Sequence, residues 1–146
     1  MPLQLPPLDQ HNQVSPHDHS GIDSEHNVIR RVSDKQLVVD KSGKRRISSI
    51  AFRASSGANA GMSVDLEALI VEANLDPRLY VTTPVWIGSV YFCVGNLRAE
   101  GFMVGFHPLT ENPYHGEVWG SFTKDQQRRL AEIASWYVEI PGASIV

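Results

Sequence analysis

Residues 84–95, "PVWIGSVYFCVG", limit the fold more than any other stretch. Apolar side chains fall on both alternating sides of the run, so an extended chain here needs cover on both faces, as a central strand has. After a turn at "NLRAEG", "FMVGFHP" reads as its neighbouring strand and "HGEVWG" as another. Upstream, "NVIRRVS" and "KQLVVD" read as short strands. "KSGK" supplies a Gly-containing turn, and "RRISSIAFRAS" reads as the return arm of a hairpin with basic flanks. Two helices are expected. One runs over about 64–74, capped by Ser63 or Asp65, with Leu66, Leu69, Ile70 and Ala73 on one face and "LDP" as its stop. The other runs over about 124–135, opened by the capping-box pair Thr123 and Gln126, with Leu130, Ile133, Ala134 and Tyr137 at amphipathic spacing. "WYVEI" gives a final short strand. The expectation is one α+β domain over 28–146, with a mostly antiparallel sheet.

Residues 1–27 differ from this pattern. They are rich in Pro, Asp, Ser, Asn and His and have neither helical nor strand periodicity, so they read as an extended or disordered leader. Leu3, Leu5 and Leu8 are its candidate anchors, on the domain itself or on a protein partner.

A chain of 146 residues suits one domain with a sizeable core. Hydrophobic residues make up 42% and charged residues 20%, and no apolar run approaches the roughly 20 residues of a membrane span. The first residues lack the charged, apolar and small-residue order of a signal peptide, so the expected setting is cytoplasmic, without a membrane partner. The single cysteine, Cys93, excludes an internal disulfide and any multi-cysteine zinc site.

The net charge of −3 hides a division along the chain. Residues 28–53 hold eight basic and two acidic residues, a net +6. The other residues hold five basic and fourteen acidic, a net −9. A positive face of this kind attracts phosphates. Ser48 and Ser49 lie between Arg46 and Arg53, and hydroxyls beside guanidinium groups suit phosphate or ribose binding. Nucleic acid is argued against by the overall acidity and by the lack of clustered aromatics in the basic segment. Walker-type, Gly-x-Gly-x-x-Gly and Gly-x-Ser-x-Gly motifs are absent.

Two histidine patterns stand out. In "PHDHSG", His17 and His19 share one side of an extended chain, with His26 further on, which makes them weak candidates for a metal. In "YHGEVWG", His115 and Glu117 resemble the His-x-Glu of zinc-dependent nucleobase deaminases, but no cysteine after residue 93 completes that metal set, so no metal is assigned there. On a strand, residues two apart face the same way. His115 and Glu117 are therefore either a joint catalytic pair, with the carboxylate placed to hold a sugar hydroxyl or to stabilise a developing cation, or the solvated side of a strand whose Val118 faces inward.

From "NVIRRVS" to "HGEVWG", roughly residues 26–120, the chain resembles an uncharacterised family of small bacterial proteins in which a hairpin ending like "ISSIAFRAS" leads to a loop and "GMSVDL". The resemblance implies bacterial origin and no particular activity. More loosely, the order Arg30 or Arg31, Ser48 or Ser49, then Glu117 is similar to the Arg, Ser, Glu order of ADP-ribosyltransferase-type folds. That resemblance implies an arginine on the NAD pyrophosphate, a serine at the nicotinamide ribose and a glutamate stabilising an oxocarbenium-like transition state. The family's Ser-Thr-Ser is absent, and His115 stands where an acidic residue would precede the glutamate.

Two functions follow as expectations. The first is binding of a nucleotide-like or NAD-type phosphate ligand by Arg30, Arg31, Ser48, Ser49 and Arg53, opposite His115 and Glu117, with ADP-ribosyltransferase-like chemistry. The second is a non-enzymatic interaction or accessory protein of a toxin, defence or secretion system, whose leader docks on a partner.

Overall fold

The computed structural model describes residues 3–146. Eight strands and four α-helices form a single α+β arrangement, and every strand pairing in it is antiparallel. In chain order they are β1 (Asn27–Val32), β2 (Leu37–Val39), β3 (Arg45–Ile47), β4 (Met62–Leu66), α1 (Glu67–Glu72), α2 (Pro77–Val81), β5 (Gly88–Cys93), α3 (Val94–Ala99), β6 (Met103–Phe106), β7 (His115–Trp119), α4 (Lys124–Ile133) and β8 (Ser135–Val138). Six strands build the main sheet in the order β6-β7-β4-β1-β5-β8, and β2 with β3 makes a separate hairpin. Among the described residues no helix is long and apolar enough to cross a membrane.

One face of the sheet carries the larger core. Val28, Val32, Met62, Val64, Leu66, Val90, Phe92, Val104 and Val118 meet Phe52, Leu97 and Leu130 from the covering elements. The opposite face holds a smaller cluster of Ile29, Ile70 and Val81, ringed by Tyr80, Tyr114 and Tyr137. β1 is thus covered on both sides, whereas β5, the apolar run, is buried on the larger-core face through Val90 and Phe92 and only partly covered on the other, where Ser89 is buried and Tyr91 and Cys93 are half-buried. β1 pairs with β5 through six residues but with β4 only at Val28↔Leu66 and Ile29↔Asp65. Where β1 and β4 separate, Arg30 reaches into the gap: its Nε donates to the Ala51 carbonyl (3.0 Å) and its Nη1 to the Ser63 carbonyl (2.9 Å). The side chain satisfies carbonyls beyond the point where the ladder stops.

Several elements differ from the sequence expectation. Residues 64–66 are strand rather than the start of a helix, because Met62, Val64 and Leu66 alternate with Ser63 and Asp65 and fill the core; α1 begins only at Glu67. The hairpin arm stops at Ile47. Ser48 accepts from the Ile50 amide and turns Ser49–Ala51 into a 3-10 turn that drops Ala51 and Phe52 into the core. "VGNLRA", expected as strand end and turn, is helix α3, with Val94 and Leu97 buried. α3 carries the chain across the core face, so β6 lies at the far edge beside β7 and not beside β5. The second main helix ends at Ile133, since β8 takes over at Ser135.

The leader closes the exposed edge of β6. His19 donates its amide to the Val104 carbonyl (2.9 Å), Asp18 Oδ1 accepts from the Val104 amide (3.0 Å), and His17 Nε2 accepts from the Phe106 amide (3.1 Å). Edge groups that would otherwise template another strand are therefore occupied, two of them by side chains. Arg98 of α3 donates to the same Asp18 oxygen (3.0 Å) and to the His19 carbonyl (3.0 Å), which locks the clasp to the domain. Asp18→Ala should lower stability by about 1 kcal/mol, a partly exposed charge-assisted pair being worth less than a buried one. In hydrogen exchange the Val104 and Phe106 amides should lose protection first; unchanged protection there would remove the clasp from the account.

Candidate functional site

β7 is flanked by β4 and β6, with Asp65 opposite His115 and Ser63 opposite Glu117 on one side, and Gly105 opposite Glu117 on the other. Val118 faces the main core, as expected, but the remaining polar side chains do not face solvent: His115 and Glu117 are each 7% exposed. The solvated-strand reading therefore fails for both. They lie on the second sheet face, under the β6–β7 connection and the leader.

The β6–β7 hairpin brings in a third residue. Val104 pairs with Val118 and Phe106 with Gly116, and the ladder continues as the His107 amide donates to the His115 carbonyl (3.0 Å). The two imidazoles lie 5.0 Å apart between ring centroids. His107 Nδ1 is 3.0 Å from Glu117 Oε1, and the other carboxylate oxygen accepts from the Gly61 amide at 2.8 Å. That amide reaches the carboxylate only because residue 61 is glycine: a Cβ there would come within 2.6 Å of the Val118 carbonyl. His115 Nδ1 donates to the His107 carbonyl (2.7 Å), since a carbonyl only accepts, and its Nε2 keeps a free lone pair. Burial pushes the His115 imidazolium below its ordinary range, against the opposing pull of the His107 carbonyl and the Glu117 and Asp65 carboxylates. One ligand atom from each of His107, His115 and Glu117 lies within 4.8 Å of the others, so among the described residues these three form a group that could hold a metal.

His107 and Glu117 form part of the wall of a cleft of about 610 Å³. The leader supplies the opposite wall through Leu5, Leu8, Asn12 and Gln13, and the 55–60 loop supplies Ser55, Ser56 and Asn59. Asn59 is fixed from two sides, donating to Asp9 of the leader (2.7 Å) and accepting from the Trp119 indole (2.8 Å). His115 opens instead on a smaller cleft of about 240 Å³ beside Arg30, Arg31 and Asp65.

The remaining sequence candidates occupy other places. Arg30 serves backbone carbonyls; burial lowers it to about 10, so it stays a cation at neutral pH. Arg31 grips Asp65 with two hydrogen bonds (2.8 and 3.0 Å). Ser48 caps a turn. Ser49 and Arg53 line a third groove, of about 710 Å³, with Arg46, Lys124 and Arg128. Arg30 and Arg31, Ser49 with Arg53, and Glu117 thus line three separate clefts. His17 and His19 use both ring nitrogens on Ser15, Phe106, Gln4 and Gly21, and His26 lies exposed beside α1. His107 went unnoticed in the sequence. Pairing "FMVGFHP" with "HGEVWG" as one hairpin would have set it opposite His115.

Comparison of the chain with protein-family models, with curated proteins and with solved structures finds no match.

Asp65 holds the surroundings of the site in place. Only 3% exposed, it binds Arg31 and the Asn112 amide (2.8 Å), while Asn112 accepts from the Tyr80 hydroxyl (2.8 Å) and the Tyr114 amide (3.2 Å). Asp65→Ala should cost about 2–4 kcal/mol, less than a fully buried pair because Arg31 keeps some solvent contact. A denaturant titration measures it, and a loss under about 1 kcal/mol would show that the network does not bear on stability.

Proposed function

We propose that the cleft between the leader, the 55–60 loop and β7 binds an uncharged, hydroxyl-bearing small molecule of sugar or nucleoside size, and that Glu117 is the group that engages it. The observation that carries this reading is the carboxylate itself: buried, anchored by the Gly61 amide, and presented beside His107 at the wall of the cleft. A carboxylate held in one orientation accepts strongly from hydroxyl groups and favours positive charge developing at a sugar carbon. A volume of about 610 Å³ falls within the range of small-molecule sites. The rest of the lining is of matching chemistry: amides from Asn12, Gln13 and Asn59, hydroxyls from Ser55 and Ser56, and apolar surface from Leu5, Leu8 and Pro108.

No lysine or arginine belongs to this lining. A nucleotide would find a hydroxyl acceptor here and no fork for its phosphates, whereas the cations Arg46, Arg53, Lys124 and Arg128 gather in the other groove. Hydroxyl recognition is therefore better supported than anchoring of an NAD pyrophosphate beside Glu117. The accessory-protein reading draws on one observation, the exposure of Leu5 (84%) and Leu8 (55%) on the leader at the rim of this cleft.

A thermal-shift screen of nucleosides, sugars and NAD, run in a chelator, tests the proposal. A ligand at a hundred times its dissociation constant stabilises the native state by about 2.7 kcal/mol. Nucleosides or sugars should raise the melting temperature, and NAD should do no better than its nucleoside part. Glu117→Gln keeps an acceptor for the Gly61 amide and should abolish the shift while leaving the unliganded melt within about 1 kcal/mol. A screen without any shift, or a shift that survives in Glu117→Gln, removes the cleft as the site.

A further inference from the structure

We infer that His107, His115 and Glu117 form a mononuclear site for a borderline divalent transition-metal ion such as Zn²⁺, facing the cleft proposed above to bind ligand. This deepens that reading by naming a cofactor, and it rests on it for the role of the metal, though not for the binding.

The first argument is charge. Glu117 accepts from one backbone amide and pairs with one imidazole, and no lysine or arginine is among its hydrogen-bond partners. An ionised carboxylate removed from water is costly unless a cation or a sufficient set of donors compensates it. A divalent ion between the carboxylate and the two imidazoles supplies that compensation. Asp65 does not compete as a ligand, because Arg31 and Asn112 already occupy its oxygens.

The second argument is geometry. Two ligands about 2.0–2.2 Å from a tetrahedral metal are separated by about 3.4 Å. His107 Nδ1 and Glu117 Oε1 lie 3.0 Å apart, so an ion can take the place of the proton between them once the two groups part by a few tenths of an ångström. The third nitrogen is already oriented. His115 gives its Nδ1 hydrogen to the His107 carbonyl, which leaves Nε2 as the coordinating atom, and a metal-bound histidine typically donates its other ring N–H in this way. The Gly61 amide fixes the carboxylate from behind in the same manner. One donor atom from each of the three residues lies within 4.8 Å of the others and two of the side chains are buried, so side-chain movement suffices to bring the His115 ring to the ion.

The third argument is donor type. Two imidazoles and one carboxylate suit zinc, iron, cobalt or manganese, whereas magnesium and calcium prefer oxygen alone. Three protein ligands leave a position open, as catalytic metal sites do. His107 and Glu117 both belong to the wall of the cleft bounded by the leader, where a metal-bound water would meet a hydroxyl-bearing ligand.

Equilibrium dialysis of the full chain against Zn²⁺, with Co²⁺ as a coloured substitute, tests the inference without any organic ligand. One ion should bind per chain, Co²⁺ should show the visible absorption of a low-coordinate nitrogen and oxygen site, and excess Mg²⁺ or Ca²⁺ should not displace it. His107→Ala and Glu117→Gln should weaken binding by more than the roughly 10–100-fold that loss of an outer hydrogen bond costs. His107 lies at the margin, so its variant remains informative if His115→Ala fails to fold. His26→Ala, at an exposed leader histidine, should bind as the parent does. Substoichiometric binding, unchanged affinity in His107→Ala and Glu117→Gln, or a loss confined to His26→Ala would each overturn the proposal. The metal titration contains no ligand and the ligand screen contains a chelator, so either idea can fail alone.

Discussion

One buried carboxylate organises the second face of the sheet. Asp65 on β4 draws in Arg31 from the neighbouring strand, Asn112 from the β6–β7 connection and, through Asn112, Tyr80 from α2. Each contact is ordinary alone. Together they decide where residues 107–114 lie, and that connection begins at one imidazole of the site and ends at the other. A carboxylate so enclosed is tolerable only while its oxygens are occupied, so the charge acts on specificity by making a single arrangement of four segments acceptable.

The site is bounded by a segment that belongs to no sheet. The leader crosses the β6 edge at residues 17–19, places the His17 ring 5.2 Å from the Trp119 ring, and continues as the wall formed by Leu5 to Gln13. The 55–60 loop supplies the neighbouring wall and is tied to both, through Asp9 of the leader and the indole of Trp119. The cleft is therefore built where three separately encoded stretches meet. Its inner surface is made by Glu117 of β7, a strand all of whose residues are buried, together with His107 and Pro108 of the β6–β7 connection.

How much of this could be read from the sequence varied with the range of the interaction. Local signals served well: the doubly apolar run became β5, the Thr123 capping motif opened α4, and the Lys41–Gly43 turn closed the β2–β3 hairpin, with Gly43 at φ +85°. Errors came where local pattern was degenerate. Met62 to Leu66 suits a strand as well as a helix start, and only its pairing with β1 and β7 decides. Long-range pairing was the largest loss. With β6 assigned beside β5, His107 had no visible relation to His115. Likewise, "PHDHSG" looks like a pair of ligands in sequence, yet its ring nitrogens are taken up by the backbone of the leader and of β6. Glu117 was singled out from its two-residue spacing to His115; that it would be buried did not follow from the strand pattern.

The clasp on the sheet edge also sets an order of events. Asp18 leaves the ribosome 86 residues ahead of the amide it will cover, so the clasp at residues 17–19 lacks its partner while the strands between are still being made. Until the clasp forms, the outer backbone of β6 is bare and can recruit a strand from a neighbouring chain. Closing that window depends on the speed with which a tethered, already synthesised arm returns, and tethering gives it a large kinetic advantage over any intermolecular competitor.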